Sequence, residues 1–359
     1  MNGRTGYPVP AWRVTLDGKD LTDRIAPRLI ELTLKECRSG EADQLDLRIH
    51  DHDGRMALPR KGVTLTVALG WRDAGLIDKG TFVVDEVEHS GPPDVITIRA
   101  RSAELTKTMR TRRDRSWHDT TVGAVIGAIA GEHSLRARVA PALANLALDH
   151  LDQSNESDVA LLTRLGSRFD AVATVKAGNL VFSPIDSGTT PAGIELPRAS
   201  ITRADGDSHR FSEAERDTYS GVRAYWNDKK GARRKSVLVG TSTNAKNLRE
   251  TYDSEKTARE HADAEWKRVQ RGAAKMDYSL ALGRADLYPE QRIDVSGFKA
   301  EIDGRTWLIA ETTHSVTGSS GFTTSLVLET SKASDSGDLS SISIVNTPAQ
   351  VALEPTGLE

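Results

Sequence analysis

The chain has 359 residues, a formal net charge of −3, 29 glycines and only 5% aromatic side chains. That length supports two or three domains with real cores, and the near-neutral charge excludes a general affinity for nucleic acid or anionic membrane. A single cysteine, Cys37, excludes an internal disulfide framework and a cysteine-rich zinc site, and is consistent with a reducing compartment.

The opening MNGRTGYPVPAW lacks the apolar segment of a signal peptide, and no apolar run is long enough to span a bilayer. No membrane insertion or export signal is therefore expected, and there is no repeat at solenoid period. The first block, residues 1–105, reads as short strands. Trp12, Val14 and Leu16 alternate with Arg13 and Thr15, and Asp17-Gly18 supplies a turn. The alternation recurs at 29–34, 45–49, 63–69, 81–87 and 95–100, with a turn-rich interruption at Ser90-Gly91-Pro92-Pro93-Asp94. Such spacing predicts an antiparallel sandwich or small barrel.

Two stretches here invite a functional reading. His50-Asp51-His52-Asp53-Gly54 carries ligand-type side chains, but neighbours on a strand end point to opposite sides, and no further ligand cluster matches the spacing. A polar turn after a strand is expected there, and no metal site. The basic run Lys107-Thr108-Met109-Arg110-Thr111-Arg112-Arg113-Asp114-Arg115 offers phosphate contacts, yet no stacking aromatics interleave it. It reads as a solvated connector or a basic patch meeting an acidic protein neighbour.

Residues 106–200 form a helix-plus-hairpin module. A helix starting at Asp119 or Thr120 carries Val122, Val125, Ile126 and Ile129 and stops near Gly131. Its small residues weaken it alone, so it must lean on neighbours. A second helix is capped by Asn155, with Glu156 and Asp158 in its first turn, Arg164 and Arg168 near its end, and Val159, Leu162, Leu165 and Phe169 on one face. A hairpin follows, turning at Ala177-Gly178-Asn179. Residues 123–127 are not a phosphate loop, Gly166-Ser167 lacks the flanks of a nucleophile elbow, and Glu132-His133 is not the His-Glu-x-x-His zinc pattern. Asp149, His150 and Asp152 read as turn-forming residues on an irregular stretch.

Beyond Pro184 the chain is loop-like to about Ala199. In the block 201–330, strands are expected at 219–226 and 236–240, then a helix over 254–271 capped by Asp253, then strands at 278–282, 293–295, 307–309 and 322–328. Ala258, Ala262, Trp266 and Val269 form a narrow stripe, which predicts a helix lying across the second sheet with Trp266 as its anchor. Residues 331–359 are rich in serine, glycine, proline and acid and read as an extended tail. Its apolar islands around Ile342 and Val351 either add as strands to a partner's edge or are plain tail residues.

Several segments, in order, resemble one family. Leu287-Tyr288-Pro289-Glu290-Gln291-Arg292-Ile293-Asp294-Val295-Ser296-Gly297-Phe298, then Ile302-Asp303-Gly304 and residues 307–315, are similar to the late control gene D proteins of contractile-tailed phages. So are residues 151–158 and the join Arg115-Ser116-Trp117-His118-Asp119-Thr120-Thr121. The match in order spans about Trp12 to Thr330. The resemblance implies a mainly β protein with α elements (α+β), two tail-tube-like antiparallel β-barrels flanking the helical module. It implies a baseplate or tail hub protein, akin to the hub part of type VI secretion spike proteins. In the virion baseplate or a tail-like particle, assembled in the bacterial host cytoplasm, a homotrimer would adapt the hexameric tail tube to the trimeric spike. Its implied partners are the tube or a tube-initiator protein, the spike and other baseplate proteins. No catalytic, cofactor-binding or metal-binding residues carry over, and the chain ends too early for a β-helical spike. Two readings of other classes stand beside this one. One is a hydrolase or peptidase with a dispersed active site, recognisable by a cleft holding a perturbed histidine beside a serine or carboxylate. The other is a nucleic-acid module using the 107–115 cluster.

Overall fold

The alternation of the first block builds β1 (Pro10–Leu16), β2 (Lys19–Asp20), the short helix α1 (Thr22–Ile25), β3 (Leu29–Cys37), β4 (Gln44–His50), β5 (Thr64–Trp71), β6 (Gly75–Ser90) and β7 (Val95–Ser102). The computed structural model describes residues 7–38, 42–102, 107–176, 178–213, 219–228, 231, 233–318 and 320–331. Every second side chain enters one core: Leu32 and Leu34, Leu45, Leu47 and Ile49, Leu65, Val67 and Leu69 are buried, as the two-residue period of a strand requires. Asp17 and Gly18 both take positive φ, 46° and 81°, and Leu16 faces Lys19 across them. This is the two-residue hairpin geometry that an Asp-Gly pair favours.

The middle of the chain forms β8 (Arg112–Thr121), α2 (Val122–Glu132), β9 (Arg136–Val139), α3 (Pro141–Ala144), β10 (Ala147–Ser157), α4 (Asp158–Phe169), β11 (Ala171–Lys176) and β12 (Asn179–Pro184). β8 pairs with β10, and β11 with β12 in the expected hairpin, to which β9 adds a parallel strand. Both main helices bury one stripe: Val122, Val125, Ile126 and Ile129 from α2, and Leu161, Leu162, Leu165 and Phe169 from α4. The cap of α4 differs from expectation. Ser157, whose hydroxyl accepts from Ala160 N at 3.2 Å, holds that position. Asn155 instead sits in β10 with φ 47° at a bulge, because the strand continues two residues further than the sequence pattern indicates.

The last block forms β13 (Ala199–Thr202), β14 (Gly206–Glu213), β15 (Gly221–Asp228), β16 (Arg233–Gly240), β17 (Ala245–Tyr252), α5 (Glu255–Arg271), β18 (Ala274–Leu280), β19 (Arg292–Ser296), α6 (Ala300–Asp303), β20 (Thr306–Thr317) and β21 (Gly321–Thr330). Its strands divide between two sheets. β16-β15-β17 make a separate three-stranded sheet on which α5 lies, burying Ala258 and Ala262 against Val222, Ala224 and Val237. The others join the first block through β3 and β20, giving a 13-stranded sheet of order β14-β18-β21-β20-β3-β4-β7-β6-β5-β1-β2, with β19 on β20 and β13 on β19.

Three expectations are thereby corrected. Among the described residues neither block closes into a barrel; the pairing path is open, with ends at β14 and β2, because the edge strand β3 pairs with β20 of the other block. The long helix lies on the small sheet and not on the second large one. Ser254, not Asp253, caps it, accepting from Thr257 N at 3.2 Å. The apolar islands of the tail fall outside the described residues.

Candidate functional site

The seam between β3 and β20 carries buried charge. Glu36 continues the inward register of Leu32 and Leu34, and its Oε2 accepts from Lys79 Nζ at 2.6 Å and Thr312 Oγ1 at 3.3 Å, with His314 Nε2 at 3.2 Å. Burial acts to raise this carboxyl, but the hydrogen bonds and charges of His314 and Lys79 outweigh it and lower it to about 2. Burial pushes His314 down, with Glu36 opposing. The other imidazole nitrogen, Nδ1, meets Thr324 Oγ1 at 2.9 Å. A hydroxyl, an imidazole and a carboxylate thus stand in line, the arrangement of a nucleophilic triad. However, Thr324 and His314 are 0% exposed and Thr324 Oγ1 also accepts from Arg284 N, so no substrate reaches the hydroxyl. The line ties β20 and β21 to β3.

A second cluster gathers every part of the chain. The carboxylate of Asp170, at the end of α4, takes both terminal nitrogens of Arg271, the last residue of α5, with Oδ2 to Nη1 at 2.6 Å. Glu329 of β21 contacts Arg271 Nε at 3.2 Å and Arg38 Nη1 at 2.5 Å. Arg38 Nε also abuts Glu290 Oε1, without hydrogen-bond alignment, while Glu290 Oε2 accepts from Asp186 N at 2.8 Å. Burial raises the Glu290 carboxyl, with Arg38 opposing. Arg38, Leu162, Gly166, Arg271, Lys275 and Glu329 are among the residues lining a cleft of about 470 Å³ here. Alongside, Arg168 donates twice to Glu260 Oε2, at 2.6 and 2.8 Å, and Arg268 reaches the Ser167 carbonyl, clamping α4 to α5.

The basic run 107–115 is not a solvated connector. Met109 is buried in the module core. Arg113 and Arg115 turn inward to Glu132, each at 2.5 Å, and Arg115 also grips buried Asp158. His133 Nε2 lies 2.8 Å from Asp158 Oδ2, and Gln153 Nε2 donates to Oδ1 at 2.9 Å. Glu132, His133 and Asp158 do bring three ligand atoms within 4.8 Å of one another. Two guanidinium groups already neutralise these carboxylates, and His133 Nδ1 is bonded to Thr108 at 3.0 Å. The chemistry of this cluster is that of an internal ion-pair network joining β8, α2 and α4, not of a cation site.

The remaining candidates sit in a turn, at a packing contact and on a strand. Asp51 accepts from Met56 N at 3.0 Å and Asp53 pairs with Arg28 at 2.6 Å, so the His50–Gly54 stretch is a polar turn. Gly166 is a packing residue, since a Cβ there would stand 2.6 Å from the Ala171 carbonyl oxygen. Asp149, His150 and Asp152 are not in a turn: they lie on β10, where His150 faces His118 of β8. Among the described residues, no helix is long and apolar enough to cross a membrane.

Comparison with known proteins gives a consistent outcome. The profile of the phage tail baseplate hub (GPD) family matches residues 44–320. The chain is 42% identical over 360 positions to the probable baseplate hub protein of Escherichia phage P2, covering 89% of this chain and 93% of that one. In fold it is similar to the 43 kDa tail protein of prophage MuSo2 from Shewanella oneidensis, with TM-score 0.68 and 15% identity, covering 88% and 97% of the two chains. It is also similar to an Escherichia coli component of the type VI secretion system, with TM-score 0.53 and 15% identity over 88% of this chain and 76% of that one.

Proposed function

Since the chain belongs to the phage tail baseplate hub family, and is a hub protein of a phage virion or tail-like particle, we propose that it works there as a homotrimeric adaptor between a sixfold tail tube and a threefold spike. The observation that carries this reading is the junction of β3 with β20, which sets two β units of similar size side by side in one chain: seven strands, β1–β7, and six strands, β13, β14 and β18–β21. Three chains would then present six tube-like units around one axis, matching a hexameric ring on one side and a trimer on the other. Residues 106–200 and the sheet carrying α5 would be outboard modules that meet other baseplate proteins. In this role the hub acts by shape and rigidity, without cofactor or catalytic step, and the sealed Thr324–His314–Glu36 line serves as a brace.

Native mass spectrometry of dissociated baseplates tests the stoichiometry, with the purified protein measured alone and with its spike partner. Three copies per baseplate are expected, whereas six equivalent copies around the axis overturn the adaptor reading.

A further inference from the structure

The paired strands β8 and β10 bury one face and leave the other open. Trp117 and Leu151 turn toward the module core, and Ser116, His118, His150 and Asp152 stand on the exposed side. There His150 and His118 are direct cross-strand partners, with ring centroids 4.6 Å apart and the two Nδ1 atoms 3.0 Å apart. His150 Nε2 lies 2.7 Å from Asp152 Oδ2, and Asp152 faces Ser116 across the strands. An ionised carboxylate only accepts, so it fixes the tautomer: the His150 proton is on Nε2 and the Nδ1 lone pair points at His118. One proton then lies between the facing nitrogens.

From this geometry we propose that His118 and His150 chelate a divalent transition-metal ion through their Nδ1 atoms, with Asp152 as the carboxylate that orients one ligand. The ion takes the place of the shared proton, which moves to His118 Nε2 so that both ligands remain neutral imidazoles. A carboxylate behind a ligating imidazole is the usual outer-shell partner in such sites. Two nitrogens each ~2.0–2.1 Å from one ion stand ~2.9 Å apart at a ligand angle of about 90°, and ~3.3–3.4 Å apart in a tetrahedron. Imidazole nitrogens suit Cu(II), Ni(II) and Zn(II), and affinity among these divalent ions peaks at Cu(II). Exposed Asp119 flanks the pair and adds negative charge, Asp149 is held by Lys256 at 3.4 Å, and the remaining coordination positions face solvent. The contrast with Glu132, His133 and Asp158 is electrostatic: that trio is occupied by arginines, and this pair is not.

The test titrates tag-free, full-length protein with nickel chloride by calorimetry, and with copper(II) by electron paramagnetic resonance. One ion per chain is expected, with nitrogen hyperfine structure from two imidazoles. His118→Ala and His150→Ala should each weaken binding at least about tenfold, and Asp152→Asn about tenfold. These side chains are exposed, so thermal melts should match the parent and a loss of binding is not a loss of fold. If both histidine variants bind within about twofold of the parent, or the parent shows no saturable binding below about 1 mM, the site does not exist.

Discussion

Asp170 and Arg271 face each other as a bidentate ion pair with both side chains only 2% exposed, joining the residue that ends α4 to the last residue of α5. Breaking such a pair leaves one uncompensated charge in the interior, which costs about 3–5 kcal/mol. Arg271→Met is therefore expected to lower the urea midpoint strongly, and Asp170→Asn/Arg271→Met together should recover much of that loss. Asparagine is the partner substitution because position 170 has φ 53°, which it tolerates. If the double variant is as unstable as Arg271→Met alone, the contacts of Arg271 with Glu329 dominate instead.

The attachment of α5 rests on its alanines more than on Trp266. Ala258 and Ala262 are 0% exposed against β15 and β16, whereas Trp266 is only partly buried. Trp266→Ala should thus cost about 1–2 kcal/mol, below the roughly 3–5 kcal/mol of a fully buried tryptophan. Ala262→Leu should cost about 1–3 kcal/mol through overpacking. Hydrogen exchange should show the loss of protection in β15–β17 and α5, with β3 and β20 unchanged. Equal loss across the large sheet would show that the two sheets unfold as one.

Acid should loosen the β3–β20 seam in two stages. His314 has a pKa below its ordinary 6.5 in the folded chain, so the unfolded chain binds more protons as pH falls through 6.5 and stability declines. Glu36 is lowered from 4.5 to about 2, and its contribution, on the order of 3 kcal/mol, is complete above 4.5 and is lost as pH falls toward 2. Urea midpoints should be lower at pH 3 than at pH 8, with the raised carboxyl of Glu290 acting in the opposite sense. His314→Gln should flatten the upper stage, and an unchanged slope between pH 7 and pH 5 in that variant would refute the assignment.

Ser331 closes the described chain as a donor, its hydroxyl 2.9 and 3.0 Å from the Asp186 carboxylate oxygens. Asp186 also accepts from Arg292 at 2.8 Å. Ser331→Ala should cost about 1–3 kcal/mol, the range for leaving a buried acceptor short of a partner. A melting temperature equal to the parent's would mean that the other partners of Asp186, Arg292 among them, satisfy the carboxylate.

Periodicity made the strands legible wherever one face is buried: Leu32 with Leu34, Leu45 with Leu47, and Leu65 with Val67 all turn inward as their spacing requires. The hairpin at β11–β12 and the buried faces of α2 and α4 were readable for the same reason, but the first residues of the helices were not: Thr121, Ser157 and Ser254 are the caps. Partnership was not. Nothing local says that β15–β17 leave the large sheet, since their alternation resembles that of β18–β21. Nor does any spacing join Glu36 to His314. The one signal was a charge at an inward position, Glu36 two residues after Leu34, which implies a buried counter-charge without identifying it. The basic run misled because Arg113 and Arg115 share the inward face of β8 with Trp117, and their counter-charges, Glu132 and Asp158, lie far along the chain.

The bond between Glu36 and His314 spans 278 residues of sequence. At roughly 5–20 residues per second of synthesis, β3 waits roughly 15–55 s on the ribosome before β20 exists to cover its edge. During that interval β4 protects one side of β3 only, and the other is an open strand edge bearing Lys35 and Glu36, charges of the kind that discourage adventitious pairing. A chain released early therefore lacks the seam altogether. Synthesis of β20 is thus the step that unites the two blocks, since it alone covers the free edge of β3 in the large sheet.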